Sequence, residues 1–156
     1  MARSKGGRKE ETYEAPITYV GLFYGLLLAW VAVSVYFLGK KAMVAGWAVT
    51  QSVMVAFVIA YTWYFSLGIS YRIKIEEGGG VQLTSFRRVL NIQPADIDML
   101  EGPRFGLPIG FIRFRLAREK AYLFCVVSNI RLNKILWKIR EANPNIKIRD
   151  VSIQGV

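Results

Sequence analysis

Two patterns of apolar positions divide this chain. Ile17 to Leu38 holds 22 consecutive uncharged residues, and Ala42 to Leu67 holds a further 26. About 20 apolar residues cross a bilayer core, so each run predicts a membrane span, the second with some tilt. The connection Gly39-Lys40-Lys41 is short enough to force an antiparallel hairpin. From Ile69 onward the period changes to two. Tyr71, Ile73 and Ile75 alternate with Arg72, Lys74 and Glu76, the pattern of a half-buried strand.

Glu76-Glu77-Gly78-Gly79-Gly80 then reads as a hairpin turn leading into Val81–Thr84. Triple glycine in a phosphate-cradling loop would be followed by a Lys-Ser/Thr pair and a helix, and neither follows here. Arg88–Ile92 predicts another strand, broken by Pro94. Gly102-Pro103 and the stretch from Gly106 to Gly110 are loop signals. Ile112, Phe114 and Leu116 alternate with Arg113, Arg115 and Ala117, and Tyr122–Val127 is a more uniformly apolar strand. A helix closes the domain: Ser128 or Asn129 caps it, Leu132, Ile135, Leu136 and Ile139 form its apolar stripe, and Pro144 stops it. Ile146–Ile153 alternates weakly as a last strand. The chain thus divides into a basic tail over 1–15, a helical hairpin over 16–68 and a small α+β domain over 69–156.

Composition sharpens this division. Of 156 residues 53% are apolar, yet Lys and Arg outnumber Asp and Glu by 21 to 11. Residues 17–67 carry only Lys40 and Lys41 as charges, so the other thirty lie in the flanks. Arg3, Lys5, Arg8 and Lys9 precede the first run; Arg72, Lys74, Arg87 and Arg88 follow the second. The positive-inside bias places both termini in the cytoplasm, and Tyr19, Tyr24, Tyr61, Trp63, Tyr64, Tyr36, Phe37 and Trp47 mark the two interfaces. The chain has no histidine, which removes imidazole metal sites and Ser-His-Asp nucleophiles. Its single cysteine, Cys125, has no internal partner and reads as a buried thiol.

Stripes of small residues mark both spans: Gly21, Gly25 and Ala29 on the first, and Ala48, Ser52, Ala56 and Ala60 on the second. Such stripes let helix backbones approach closely in lipid. Here they either pack on each other within the hairpin or dock a partner subunit. Gln51 reads as interhelical glue, since an ion or proton path needs ionisable groups at depth.

In the polar half, Trp137 lies opposite the apolar stripe of the last helix, beside Lys134 and Lys138. A Trp there needs a partner, a membrane surface or a covering loop. Residues 68–156 carry fifteen basic and eight acidic side chains, a net of +7. Arg131, Lys134 and Lys138 group on the helix; Arg72, Lys74, Arg113 and Arg115 are candidates for anionic-lipid contact. The basic charge is also what positive-inside bias alone produces, and no nucleic-acid reading motif accompanies it. Asp96, Asp98 and Glu101 read as solvated carboxylates rather than a catalytic set.

The order of these elements is similar to that of known proteins. Two spans lead into Tyr71-Arg72-Ile73, a hairpin, then the segment from Asn91 to Asp98. The passage Phe105-Gly106-Leu107-Pro108-Ile109-Gly110 opens into Phe111-Ile112-Arg113-Phe114, and a terminal helix follows. Over residues 17–143 this plan resembles bacterial membrane proteins with a pleckstrin-homology-like (PH-like) domain, and the two-helix photosystem I assembly factors. The resemblance implies a bent antiparallel sheet or partial barrel capped by the C-terminal helix, and no catalytic residues. In phosphoinositide-binding PH domains basic residues flank the first hairpin, whereas the corresponding tip here is acidic.

The expectation is therefore a non-catalytic accessory, scaffold or assembly subunit in a bacterial inner membrane. It would need no cofactor, metal, nucleic acid or small-molecule substrate, and its partners would be other integral membrane proteins and phospholipid. A membrane-surface sensor binding anionic lipid is the alternative.

Overall fold

A computed structural model describes residues 11–42, 49–103 and 108–151, without the side chains of 41 and 42. The chain divides into two compact units, Pro16–Leu67 and the remainder.

The first unit contains α1 (Ile17–Ala42) and α2 (Val49–Ser66). At 1.5 Å per residue they are about 39 and 27 Å long, and both are long and apolar enough to cross a membrane. Almost all of their surface is uncovered. Core helices of a soluble domain are mostly buried, and these are not. α1 runs further than expected: Gly39, Lys40 and Lys41 belong to its last turns rather than to the connection. Lys40 lies over the Tyr36 ring, with Nζ 4.9 Å from its centre, a contact that helical i, i+4 spacing provides. Residues 43–48, and with them Trp47 and Ala48, lie outside the described ones. Two helix hydroxyls are satisfied within their own helices: Ser34 Oγ donates to the Trp30 carbonyl and Thr62 Oγ1 to that of Val58.

The second unit is a sheet with one helix. Its strands are β1 (Thr12–Glu14), β2 (Ser70–Ile75), β3 (Val81–Ser85), β4 (Val89–Ile92), β5 (Ile97–Glu101), β6 (Ile109–Leu116), β7 (Lys120–Val126) and β8 (Lys147–Arg149). A 3-10 turn occupies Pro94–Asp96, and α3 spans Ile130–Ala142. The spatial order is β4-β3-β2-β7-β6-β5-β8, with β1 also on β2. The sheet is mixed rather than antiparallel throughout, because β2 meets β7 and β5 meets β8 in parallel.

The β2–β7 contact consists of one residue pair, Ser70 with Leu123. Beyond it, β2 takes β1 as its antiparallel neighbour, with Thr12, Tyr13 and Glu14 opposite Lys74, Ile73 and Arg72. The expected tail over 1–15 therefore contributes a strand. Its alternation explains why: Tyr13 and Ala15 are buried, while Glu14 is exposed. A single Tyr in a basic, polar stretch is a weak signal, and the pairing it forms is remote in sequence.

Tyr13, Ile73, Leu83, Leu100, Phe114 and Leu123 meet the α3 stripe of Leu132, Ile135, Leu136 and Ile139 in the core, each at most 1% exposed. Each such side chain contributes roughly 1.5–3 kcal/mol on burial. Asn129 caps α3 by accepting from the amides of Arg131 and Leu132. At the other end Asn143 Nδ2 donates to the carbonyls of Pro94 and Ile97, tying the helix terminus to the 3-10 turn.

Candidate functional site

Between α1 and α2 the seam is not built from the small-residue stripes. Tyr24 Oη donates to the Ser66 carbonyl at 2.7 Å, and its ring stacks on Trp63 with centres 6.3 Å apart. The half-buried positions on α1 include Tyr24, Leu27, Val31, Ser34 and Leu38; on α2 Ser52, Val55, Ile59 and Thr62 lead to the buried Ser66, with Phe23 and Trp63 half-buried beside them. This 3-4 spacing is that of a left-handed helix pair. Gly21, Gly25, Ala29, Ala56 and Ala60 are exposed instead, as is Gln51, which lies off the α1–α2 seam. An added Cβ at Gly21 or Gly25 would meet nothing within 4 Å. Among the described residues of the two expected stripes only Ser52 belongs to the seam.

On the second unit, α3 directs Trp137 outward, 43% exposed. Its neighbours are not free cations. Lys134 Nζ and Lys138 Nζ each lie 2.9 Å from a Glu11 carboxylate oxygen. Burial alone would push the Glu11 carboxyl up, but hydrogen bonds from Lys134 and Lys138, with their charge, hold it below its ordinary value of 4.5. The basic helix face thus serves to hold the N-terminal strand. Arg131, one turn earlier, is exposed and lines a groove with Thr12, Glu14 and Asn129.

The four expected lipid contacts do not form one cationic face. Arg72 forks onto Glu14 at 3.1 and 3.2 Å, and Arg113 is paired with Glu101. Lys74 is half-buried on β2, while Arg115 is exposed on β6, with β7 between those strands. A different cluster forms where the β3–β4 turn meets the β6–β7 turn. Arg88 Nη2 lies 2.7 Å from Glu119 Oε2, bringing together Phe86, Arg87, Arg118 and Lys120. The signal was present in the adjacent Phe86-Arg87-Arg88, but the contact partner is thirty-one positions away.

An open cleft of roughly 360 Å³ lies between the β2–β3 turn and the end of α3, with Glu76, Glu77 and Lys138 at its rim and Ile139 at its floor. Among the described residues no group of three or more His, Cys, Asp or Glu side chains is placed to hold a metal ion. Cys125 is buried, and burial pushes its thiol up to about 11 against a hydrogen bond from the Gly110 backbone.

The chain matches no protein-family model, no curated protein and no solved structure.

Proposed function

We propose that this protein is a non-catalytic accessory, scaffold or assembly subunit of a larger complex in a bacterial inner membrane. In this reading α1 and α2 span the bilayer with both termini cytoplasmic, and the second unit is a PH-like domain that holds a partner there. Its partners are other integral membrane proteins.

The observation that carries the reading is the outward Gly21-Gly25-Ala29 stripe, left open because larger residues build the α1–α2 seam. In lipid, a stripe that leaves space beside two glycines is suited to close approach by another helix. Trp137 adds an apolar anchor on α3 with no described loop over it.

Native mass spectrometry of the protein extracted from its own membranes tests this. Recovery with defined membrane proteins at fixed stoichiometry, lost on Gly25→Leu or Trp137→Ala while the fold is retained, is the expected result. Wild-type recovery for both variants, singly and together, would sink the proposal.

A further inference from the structure

We infer that the paired β3–β4 and β6–β7 turns are a membrane-seating surface, contacting anionic phospholipid of the bilayer that α1 and α2 occupy. The inference rests on the reading that these helices span a membrane. It specifies a lipid-facing surface distinct from the expected Arg72, Lys74, Arg113 and Arg115 set.

Three observations converge on this end of the sheet. The first is connectivity. Ala15 N–H donates to the Tyr71 carbonyl at 2.7 Å, joining the chain two residues before α1 to the start of β2. Only Leu67, Gly68 and Ile69 separate Ser66, the end of α2, from Ser70, so chain length alone tethers the start of β2 within about 14 Å of it. Ser70 pairs with Ser85, the residue that opens the β3–β4 turn. It also pairs with Leu123, three residues after Lys120. Both turns therefore adjoin the tethered end of β2.

The second observation is charge. Arg88 is paired with Glu119; Arg87, Arg118 and Lys120 adjoin that pair along the chain, and Arg115 stands opposite Lys120 where β6 meets β7. Asp96 and Asp98 flank Ile97, which pairs with Leu116, and are the next acids along the sheet. The opposite end of the β2–β3 pair is the turn Glu76-Glu77-Gly78-Gly79-Gly80. A domain whose tethered end keeps an excess of cations over these three carboxylates, and whose far end carries Glu76 and Glu77, is oriented favourably by an anionic leaflet.

The third is an exposed aromatic residue among these cations. Phe86 is 58% exposed at the tip of the β3–β4 turn, with Tyr71 behind it at 4.9 Å between ring centres. Ser85 holds the turn closed, its Oγ accepting from the Arg88 amide at 3.0 Å. An aromatic ring flanked by arginines at the headgroup level matches the chemistry of a bilayer interface.

The test uses the full chain in nanodiscs of phosphatidylcholine alone or with phosphatidylglycerol, read by hydrogen exchange. Amides of 85–89 and 117–121 are expected to exchange about tenfold more slowly with phosphatidylglycerol, and to lose that protection as salt rises. Arg87→Glu with Arg118→Glu should abolish the difference, and Phe86→Ser should reduce it. Equal exchange in both lipids would overturn the inference while leaving the spanning helices intact. Protection only in complexes from native membranes would assign the surface to a protein and overturn it too. Failure to enter nanodiscs at all, with the chain left in solution, would remove the spanning reading and this inference with it.

Discussion

Tyr13 and Val126 stand 113 positions apart in the chain and share one hydrogen bond, the Val126 amide donating to Tyr13 Oη at 3.0 Å. This bond crosses the place where β2 and β7 separate after a single pair. It satisfies an amide that a continuous sheet would have paired with backbone, and it anchors β1 to two other strands at once. Tyr13→Phe keeps the ring but leaves that amide without its partner, so a loss of about 1–2 kcal/mol is expected. Tyr13→Ala also removes the buried ring and should cost about 3–5 kcal/mol. Urea unfolding of the detergent-solubilised chain, followed by near-UV circular dichroism, would rank the two; equal stability of Tyr13→Phe and wild type would show that the bond contributes nothing.

The clamp of Glu11 by Lys134 and Lys138 makes the attachment of β1 to α3 dependent on acid. Because folding lowers the Glu11 pKa, its contribution is present above the ordinary value of 4.5 and is lost as pH falls through the depressed one. Amide exchange of residues 11–15 should therefore accelerate in that acid window before that of β6 and β7. Glu11→Gln should show the faster exchange already at neutral pH and remove the pH step. Both lysines are substantially exposed, so the expected effect is a local loosening of up to about 1 kcal/mol per pair.

Cys125 should be chemically silent in the folded protein. Its thiol is buried and titrates near 11, so at neutral pH almost no thiolate is presented to an electrophile. Iodoacetamide should label it only after unfolding, as measured by intact mass. The raised pKa also means that its contribution to stability holds below the ordinary 9.0 and declines as pH climbs toward about 11.

Gly102 and Gly25 should respond in opposite ways to added side-chain atoms. A Cβ at Gly102 would stand 2.2 Å from the Asp150 carbonyl oxygen and 2.7 Å from a Val151 methyl. Gly102→Ala should displace β8 from the parallel edge of β5, at a cost of about 1–3 kcal/mol, and expose amides 147–149 to exchange. A Cβ at Gly25 meets nothing within 4 Å among the described residues, so the fold of purified Gly25→Leu should be unchanged. Destabilisation by Gly25→Leu in isolation would show that the stripe serves internal packing after all.

Periodicity alone located most of the elements. All-round apolar runs located α1 and α2, since neither helix has a continuous polar face, but not the end of α1. The period-two alternation around Ile73 and Ile112, and the stripe from Leu132 to Ile139, mark elements that bury one side. The absence of histidine and the lone cysteine likewise exclude chemistries without any coordinates. What the tertiary structure decided are the relationships that depend on which distant residues become neighbours. The Gly21 and Gly25 stripe is open because Tyr24, Val31 and Ser34 occupy the α1–α2 seam instead. Lys134 and Lys138 are committed because β1 passes beneath α3, and the Phe86–Arg88 turn gains Arg118 and Lys120 because Glu119 reaches Arg88. Side-chain pattern specifies which face of an element is buried; only the closing of the sheet specifies against what.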